Sequence, residues 1–158
     1  MTKILVLYFS RTGHVKEMAG EIAVGVKSAG AEAHLCDMDE CVIQNLTDYD
    51  GFIIGSPTYY GLAAGPVKDF FDRSIVHHGK LEGKAGGAFS SAGVFGGGSE
   101  TTVMSIIQMM LVHGMIVQGQ AKGHHYGVVA IGAPNEEVIE QCRKLGKRVA
   151  ELARKLAG

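Results

Sequence analysis

The stretch Ile4-Leu5-Val6-Leu7-Tyr8-Phe9-Ser10-Arg11-Thr12-Gly13-His14-Val15 decides the fold. Its first half is an unbroken apolar run, the pattern of a parallel strand covered on both faces. The run ends in a short hydroxyl- and glycine-containing turn that opens onto a helix. Val15, Met18, Ala19, Ile22 and Val26 follow at steps of three and four and so share one helix face. A helix start carries backbone N–H groups without intrahelical partners and the positive end of the helix dipole, which makes such a turn an anion site. Ser10 and Thr12 add hydroxyl donors, and Gly13 allows a close backbone approach that a Cβ would forbid. Arg11 either assists the bound group or lies in solvent, while His14 contributes chiefly its backbone N–H. The turn has neither the lysine and spacing of the triphosphate loop nor the pattern G-x-G-x-x-G, so the expected anion is a monophosphate. Ser and Thr are also ordinary helix caps, and the same residues would suit a capped turn with no ligand.

Outward from this unit the chain keeps alternating strand and helix. Ala31–Cys36 reads as a weaker strand nearer an edge. Gly51–Gly55 reads as a buried strand running into Ser56-Pro57-Thr58-Tyr59-Tyr60-Gly61. Pro66 is placed as a first helical residue, with Val67, Phe70 and Phe71 facing inward behind it. Ala85–Ser90 forms a fourth strand of small residues, followed by the glycine-rich loop 91–98. Ser99 is the expected cap of the next helix, whose stripe is Val103, Ile106, Ile107, Met110 and Leu111, and Gly114 stops it. Residues 115–117 and 128–131 read as one strand position interrupted by a polar loop. A last helix starts near Asn135 and carries Val138, Cys142, Leu145, Val149, Leu152 and Leu156. The expected architecture is a five-stranded parallel sheet with helices on both faces, forming one domain over 1–158. Ligands in such sheets bind at the carboxyl ends of the strands. Loops 10–15, 56–61 and 90–98 all leave strands there.

Composition limits the partners. The 158 residues are 46% hydrophobic, with 16 acidic and 15 basic residues and a formal net charge of −1, and no run of one sign suggests a nucleic-acid or membrane-surface partner. The 23 glycines gather at strand ends and in 86–98, where loops need unusual backbone geometry. Cys36, Cys41 and Cys142 are odd in number and lack metal spacing, so they read as reduced thiols. The paired histidines 77–78 and 124–125 lack the carboxylate or cysteine spacing that completes a metal site. No apolar run reaches membrane-spanning length and the start has no signal-peptide pattern, so the expectation is a cytoplasmic protein without membrane insertion.

Taken together, Leu7–Val15, Gly55–Gly61, Phe89–Glu100 and His113-Gly114-Met115 resemble the flavodoxin-like fold and, within it, the WrbA family of FMN-dependent NAD(P)H:quinone oxidoreductases. The resemblance covers most of the chain. It implies FMN as cofactor, with residues 10–15 wrapping the ribityl phosphate and Pro57, Thr58, Tyr59, Tyr60 and Gly61 bordering the ring. Ser91, Ala92, Gly93, Val94, Phe95, Gly96 and Gly97 would close the other edge. His113 falls where the family places a histidine beside the flavin and the substrate. NAD(P)H is the implied electron donor, with Arg11 either helping the phosphate or the nicotinamide or lying in solvent; a quinone-like small molecule is the acceptor, and a homo-oligomer, dimer or tetramer, the implied assembly. Four features depart from the family: Tyr59 stands where relatives often carry arginine, Thr12 is more like a flavodoxin residue, the 90s loop is one residue longer, and the segments that help longer members build a tetramer are missing.

Two functions share the fold. A one-electron flavodoxin carrier keeps a strongly acidic surface around its flavin, which disfavours an anionic reduced flavin. The nearly balanced charge here, the lack of tryptophan and the glycine-rich 90s loop favour hydride acceptance from NAD(P)H and two-electron delivery to a quinone, in a ping-pong order. A flavin-dependent interaction module is a third reading, and the chain offers it no charged docking face.

Overall fold

The computed structural model describes residues 1–158. In chain order the elements are β1 (Lys3–Tyr8), α1 (His14–Ser28), β2 (Glu32–Asp37), β3 (Gly51–Tyr59), β4 (Leu62–Ala63), α2 (Gly65–Arg73), β5 (Ala85–Ala92), α3 (Ser99–Val112), β6 (Ile116–Val117), β7 (Val128–Ile131) and α4 (Glu136–Leu156). The main strands run parallel in the order β2-β1-β3-β5-β6, with β7 continuing beside the second half of β5. Thus β6 and β7 occupy one strand position split by the loop between them, as the sequence suggests. Short antiparallel β4 pairs only with the end of β3, and no sequence signal announced it.

Period-two alternation sends β1 into two cores. Ile4, Val6 and Tyr8 face α1 and α4, whereas Leu5 and Leu7 face α2 and α3. Every one of these side chains is buried, which explains why the run reads as continuous apolar sequence. Edge strand β2 is mostly exposed, in keeping with its weaker pattern. Pro66 stands in the first turn of α2, and Val67, Phe70 and Phe71 are buried behind it. Asn135 caps α4 by accepting from the Val138 N–H at 2.9 Å.

The ends of three elements differ from the sequence reading. Strand β3 runs on to Tyr59 and β5 to Ala92, so Pro57–Tyr59, Ser91 and Ala92 are held by sheet pairing and not by loops. Ser99 does not cap α3. The cap is Gly98 in the left-handed region (φ 103°), and Ser99 is the first helical residue, its hydroxyl donating to Glu100 Oε2. A side chain at 98 would lie 2.7 Å from the Gly61 Cα, so the turn after β3 packs directly on the start of α3.

α3 runs from the carboxyl end of the sheet back to its amino end, where Gly114 (φ 78°) stops it after His113. His113 is buried there against Phe71 and His78. The Ser74 hydroxyl donates to the Phe71 carbonyl at 2.7 Å and lies 2.7 Å from His113 Nε2. Because a hydroxyl has one proton, Nε2–H must be the donor to Ser74, and Nδ1 is left as a buried acceptor with no partner. Burial, with His78 and His77 adding to it, holds the imidazole below the usual histidine pKa.

Two predictions follow from this packing. A Cβ on Gly25 would stand 2.0 Å from the Arg143 carbonyl oxygen, whereas one on Gly20 of the same helix meets nothing within 4 Å. Urea unfolding should therefore show Gly25→Ala destabilised by about 2–3 kcal/mol and Gly20→Ala stabilised by about 0.5–1 kcal/mol. As pH falls below about 6.5, the unfolded chain binds a proton that buried His113 refuses. Stability is then lost until the lower, folded pKa is reached. Comparing wild type with His113→Gln across pH 5 to 8, the wild type should show the steeper loss on the acid side; parallel curves would contradict this.

Candidate functional site

The carboxyl ends of β1, β3, β5 and β7 surround a cleft of about 370 Å³. Ser10, Arg11 and Thr12 come from the turn after β1, His14 and Val15 from the start of α1, and Pro57, Thr58 and Tyr59 from the end of β3. Ser91, Ala92 and Gly93 close the opposite side from the end of β5. These are residues of the three loops singled out in the sequence, brought together at the reversal of strand order between β1 and β3.

Gly132 also lines the cleft, and the sequence reading missed it. Its N–H donates to the Ala92 carbonyl at 2.8 Å, and its own carbonyl accepts from Ser91 Oγ at 2.7 Å. The available signal was the apolar run Val128–Ile131 ending in glycine, the same strand-then-glycine pattern that marks the other site loops.

The first turn has the geometry of an anion cradle. Gly13 caps α1 in the left-handed region (φ 98°), and its N–H donates to Ser10 Oγ at 3.2 Å. Beyond it the first turn of α1 presents N–H groups and the positive dipole end toward the cleft. No carboxylate lines the cleft. Donors without an acid suit a phosphate and a neutral ring system, so the chemistry of these residues fits a flavin mononucleotide.

The remaining predicted residues fall into three groups. Tyr60 and Gly61 form the turn between β3 and β4, both at positive φ (51° and 76°). Tyr60 is fully exposed beside the cleft, and the Gly61 carbonyl accepts from Thr101 Oγ1 at 2.6 Å. Val94, Phe95, Gly96 and Gly97 follow Gly93 as an exposed segment and do not line the cleft, Phe95 being 93% exposed. His113 is different. Its neighbour Ile116 pairs with Ala85 at the amino end of β5, whereas Ser91 marks the cleft end of that strand. Six strand steps separate these ends, about 20 Å. The expectation of His113 beside the ring is therefore not met within one chain, because α3 carries it to the opposite end of the sheet.

The cleft and fold can now be set beside known proteins. The profile of the family described as NADPH-dependent FMN reductase matches residues 14–126. A flavodoxin of Aquifex aeolicus is 41% identical over 96% of this chain and 86% of its own length. A NAD(P)H dehydrogenase (quinone) of Sinorhizobium fredii is 35% identical over 99% of this chain and all of its own, in an alignment of 198 positions. That relative therefore carries segments that the 158 residues here lack. Among solved structures, a flavodoxin, WrbA-like protein from Agrobacterium tumefaciens superposes with a TM-score of 0.83 at 27% identity, covering 98% of this chain and 99% of the other. The sheet order, the loops it brings together and these similarities agree, and the chain belongs to the flavodoxin-like family of FMN-dependent NAD(P)H:quinone oxidoreductases.

Proposed function

We propose that this chain binds FMN in the cleft and reduces quinones with NAD(P)H by a ping-pong exchange, the donor leaving before the acceptor enters. The observation that carries the reading is the acid-free, donor-rich cleft at the start of α1, bounded by Tyr59 and open above Gly93. FMN, when bound, supplies the hydride-accepting and hydride-donating ring. The overall exchange is NAD(P)H plus a proton plus quinone giving NAD(P)+ and hydroquinone.

The chain's own residues bind and orient. Ser10, Thr12 and the N–H groups of 10–15 would hold the phosphate, and Gly13 keeps that turn in its left-handed geometry. Pro57, Thr58 and Tyr59 would border the ring on one side, with Ser91, Ala92 and Gly93 on the other. The exposed 94–97 segment leaves room for donor and acceptor to occupy the same face in turn. No helix is long and apolar enough to cross a membrane. We place the protein in the cytoplasm, where its three cysteines would stay reduced.

We also propose that the chain works as a homo-oligomer in which His113 serves the cleft of a partner copy. Glu100 is the only charged residue of α3, and Met104, Leu111 and Val112 are exposed along it beside Leu62. Three exposed apolar side chains on a helix with a single charge form a patch suited to burial against a partner. Identical copies meet without like-charge repulsion on such a face. With one end at the cleft and the other at His113, two α3 helices packed antiparallel around a two-fold axis would bring each His113 toward the other copy's cleft. Its role there would fall to the free Nδ1, which would accept a hydrogen bond from the O–H of the hydroquinone.

The Aquifex similarity supports a second reading, a one-electron carrier between proteins. Anaerobic addition of NADPH to the FMN-loaded protein, followed by benzoquinone, separates the two. The enzyme should lose its flavin absorbance with NADPH, regain it with benzoquinone, and give parallel double-reciprocal lines. A flavin band that only dithionite bleaches would point to the carrier, and intersecting lines would contradict the ping-pong order. For the assembly, sedimentation should show a dimer or larger species. Val112→Glu should give a monomer with the same loss of quinone reduction as His113→Ala. A monomeric wild type, or a fully active His113→Ala, would defeat the shared site.

A further inference from the structure

Arg11 belongs by sequence to the turn before α1, yet its side chain leaves that turn. The guanidinium lies over the Tyr59 ring, with Cζ 5.4 Å from the ring centroid. The charge is thereby carried to the outer lip of the cleft. Beyond the lip is a second, more open hollow of about 510 Å³ lined by Arg11, Thr58, Tyr59 and Tyr60. The cleft and the hollow share Arg11, Thr58 and Tyr59, so their occupants would meet along the Tyr59 ring.

This cation has no counter-charge. None of the ion pairs in the chain includes Arg11, and no carboxylate lines either space. Tyr60 makes the far wall from a left-handed backbone (φ 51°), a conformation that a non-glycine residue adopts at an energetic cost. An unpaired guanidinium over the Tyr59 ring, in a hollow that Tyr60 also lines, presents a forked donor set and flat apolar faces to the same ligand. The first suits phosphate oxygens in bidentate fashion, and stacking on Tyr59 already orders the side chain that would make those bonds. A neutral quinone offers carbonyl acceptors but no charge to pair with the guanidinium. A nicotinamide dinucleotide offers a pyrophosphate between two ring systems.

We propose that Arg11 binds the pyrophosphate of the nicotinamide dinucleotide, seating it in the Tyr59–Tyr60 hollow so that the nicotinamide enters the cleft. The assignment rests on the FMN-dependent reading above. The pyrophosphate is common to NADH and NADPH, so Arg11 does not choose between them.

The test uses the FMN-loaded protein, Arg11→Gln and Arg11→Lys, with NADPH, NADH and 1-benzyl-1,4-dihydronicotinamide, a hydride donor with no phosphate, as alternative donors to benzoquinone. Arg11→Gln should raise KM for both dinucleotides about tenfold or more and leave kcat within about twofold. The loss with the benzyl donor should be far smaller than the loss with either dinucleotide. ADP-ribose binding to the oxidised protein, followed by calorimetry, should weaken by a similar factor, and Arg11→Lys should recover part of it. Equal losses with all three donors would overturn the proposal, as would an effect confined to NADPH, loss of bound FMN, or no effect. If wild type takes hydride from none of the donors, the enzymatic reading fails by itself, and the ADP-ribose isotherms still decide whether Arg11 holds a pyrophosphate.

Discussion

Helices α1 and α4 touch backbone to backbone, and the geometry of the cleft depends on that contact. Gly25 faces the Arg143 carbonyl and Gly146 faces the Ile22 carbonyl, each so closely that an added Cβ would lie 2.0 Å from the oxygen. The two glycines let the helices approach to a distance that side chains would prevent. With α1 clamped between α4 and the sheet, its N-terminus has one position, directly beneath the turn 10–15. The same economy recurs inside the sheet. Gly55 leaves the space that the Phe89 ring fills, and Gly87 lies under Val149. Dense packing on both faces makes these strands a rigid platform, and the loops at their carboxyl ends inherit that rigidity.

The fold was legible because its signals are local. The unbroken run Ile4–Phe9, the helical stripe from Val15 to Val26, Pro66 and Asn135 each state their element within a few residues. Three of the cleft's walls were legible for the same reason, since hydroxyl- and glycine-containing turns after apolar runs mark strand ends. What was not legible depends on contacts between distant segments. Gly25 and Gly146 look like weak points in helices and become their closest contact. Gly98 displaces Ser99 as the cap because the turn at Gly61 leaves no room for a side chain there. Gly132 joins the site only because β7 pairs with the far half of β5. His113 was placed by resemblance, and its motif says nothing about which end of the sheet it occupies.

The chemistry of the two ends is correspondingly distinct. At the carboxyl end, unpaired donors and one unpaired arginine surround an acid-free cleft, a setting that welcomes phosphates and leaves a neutral ring unopposed. At the amino end, a buried imidazole held below the usual histidine pKa presents a bare acceptor at the end of a helix whose single charge, Glu100, lies in its first turn. Neither group can reach the other in one chain. The length of α3 separates them, and its exposed apolar residues offer the route by which a second copy could reunite them.

The central claim is that the turn after β1 and the ends of β3 and β5 form one FMN site. Amide-resolved NMR of the FMN-free protein, titrated with FMN, tests it most directly. The account predicts the largest shifts at residues 10–15, 58–60, 91–95 and Gly132, saturating together at one equivalent of FMN. Shifts concentrated around the amino end of the sheet, near Ser74 and His78, or no saturable shifts at all, would contradict it.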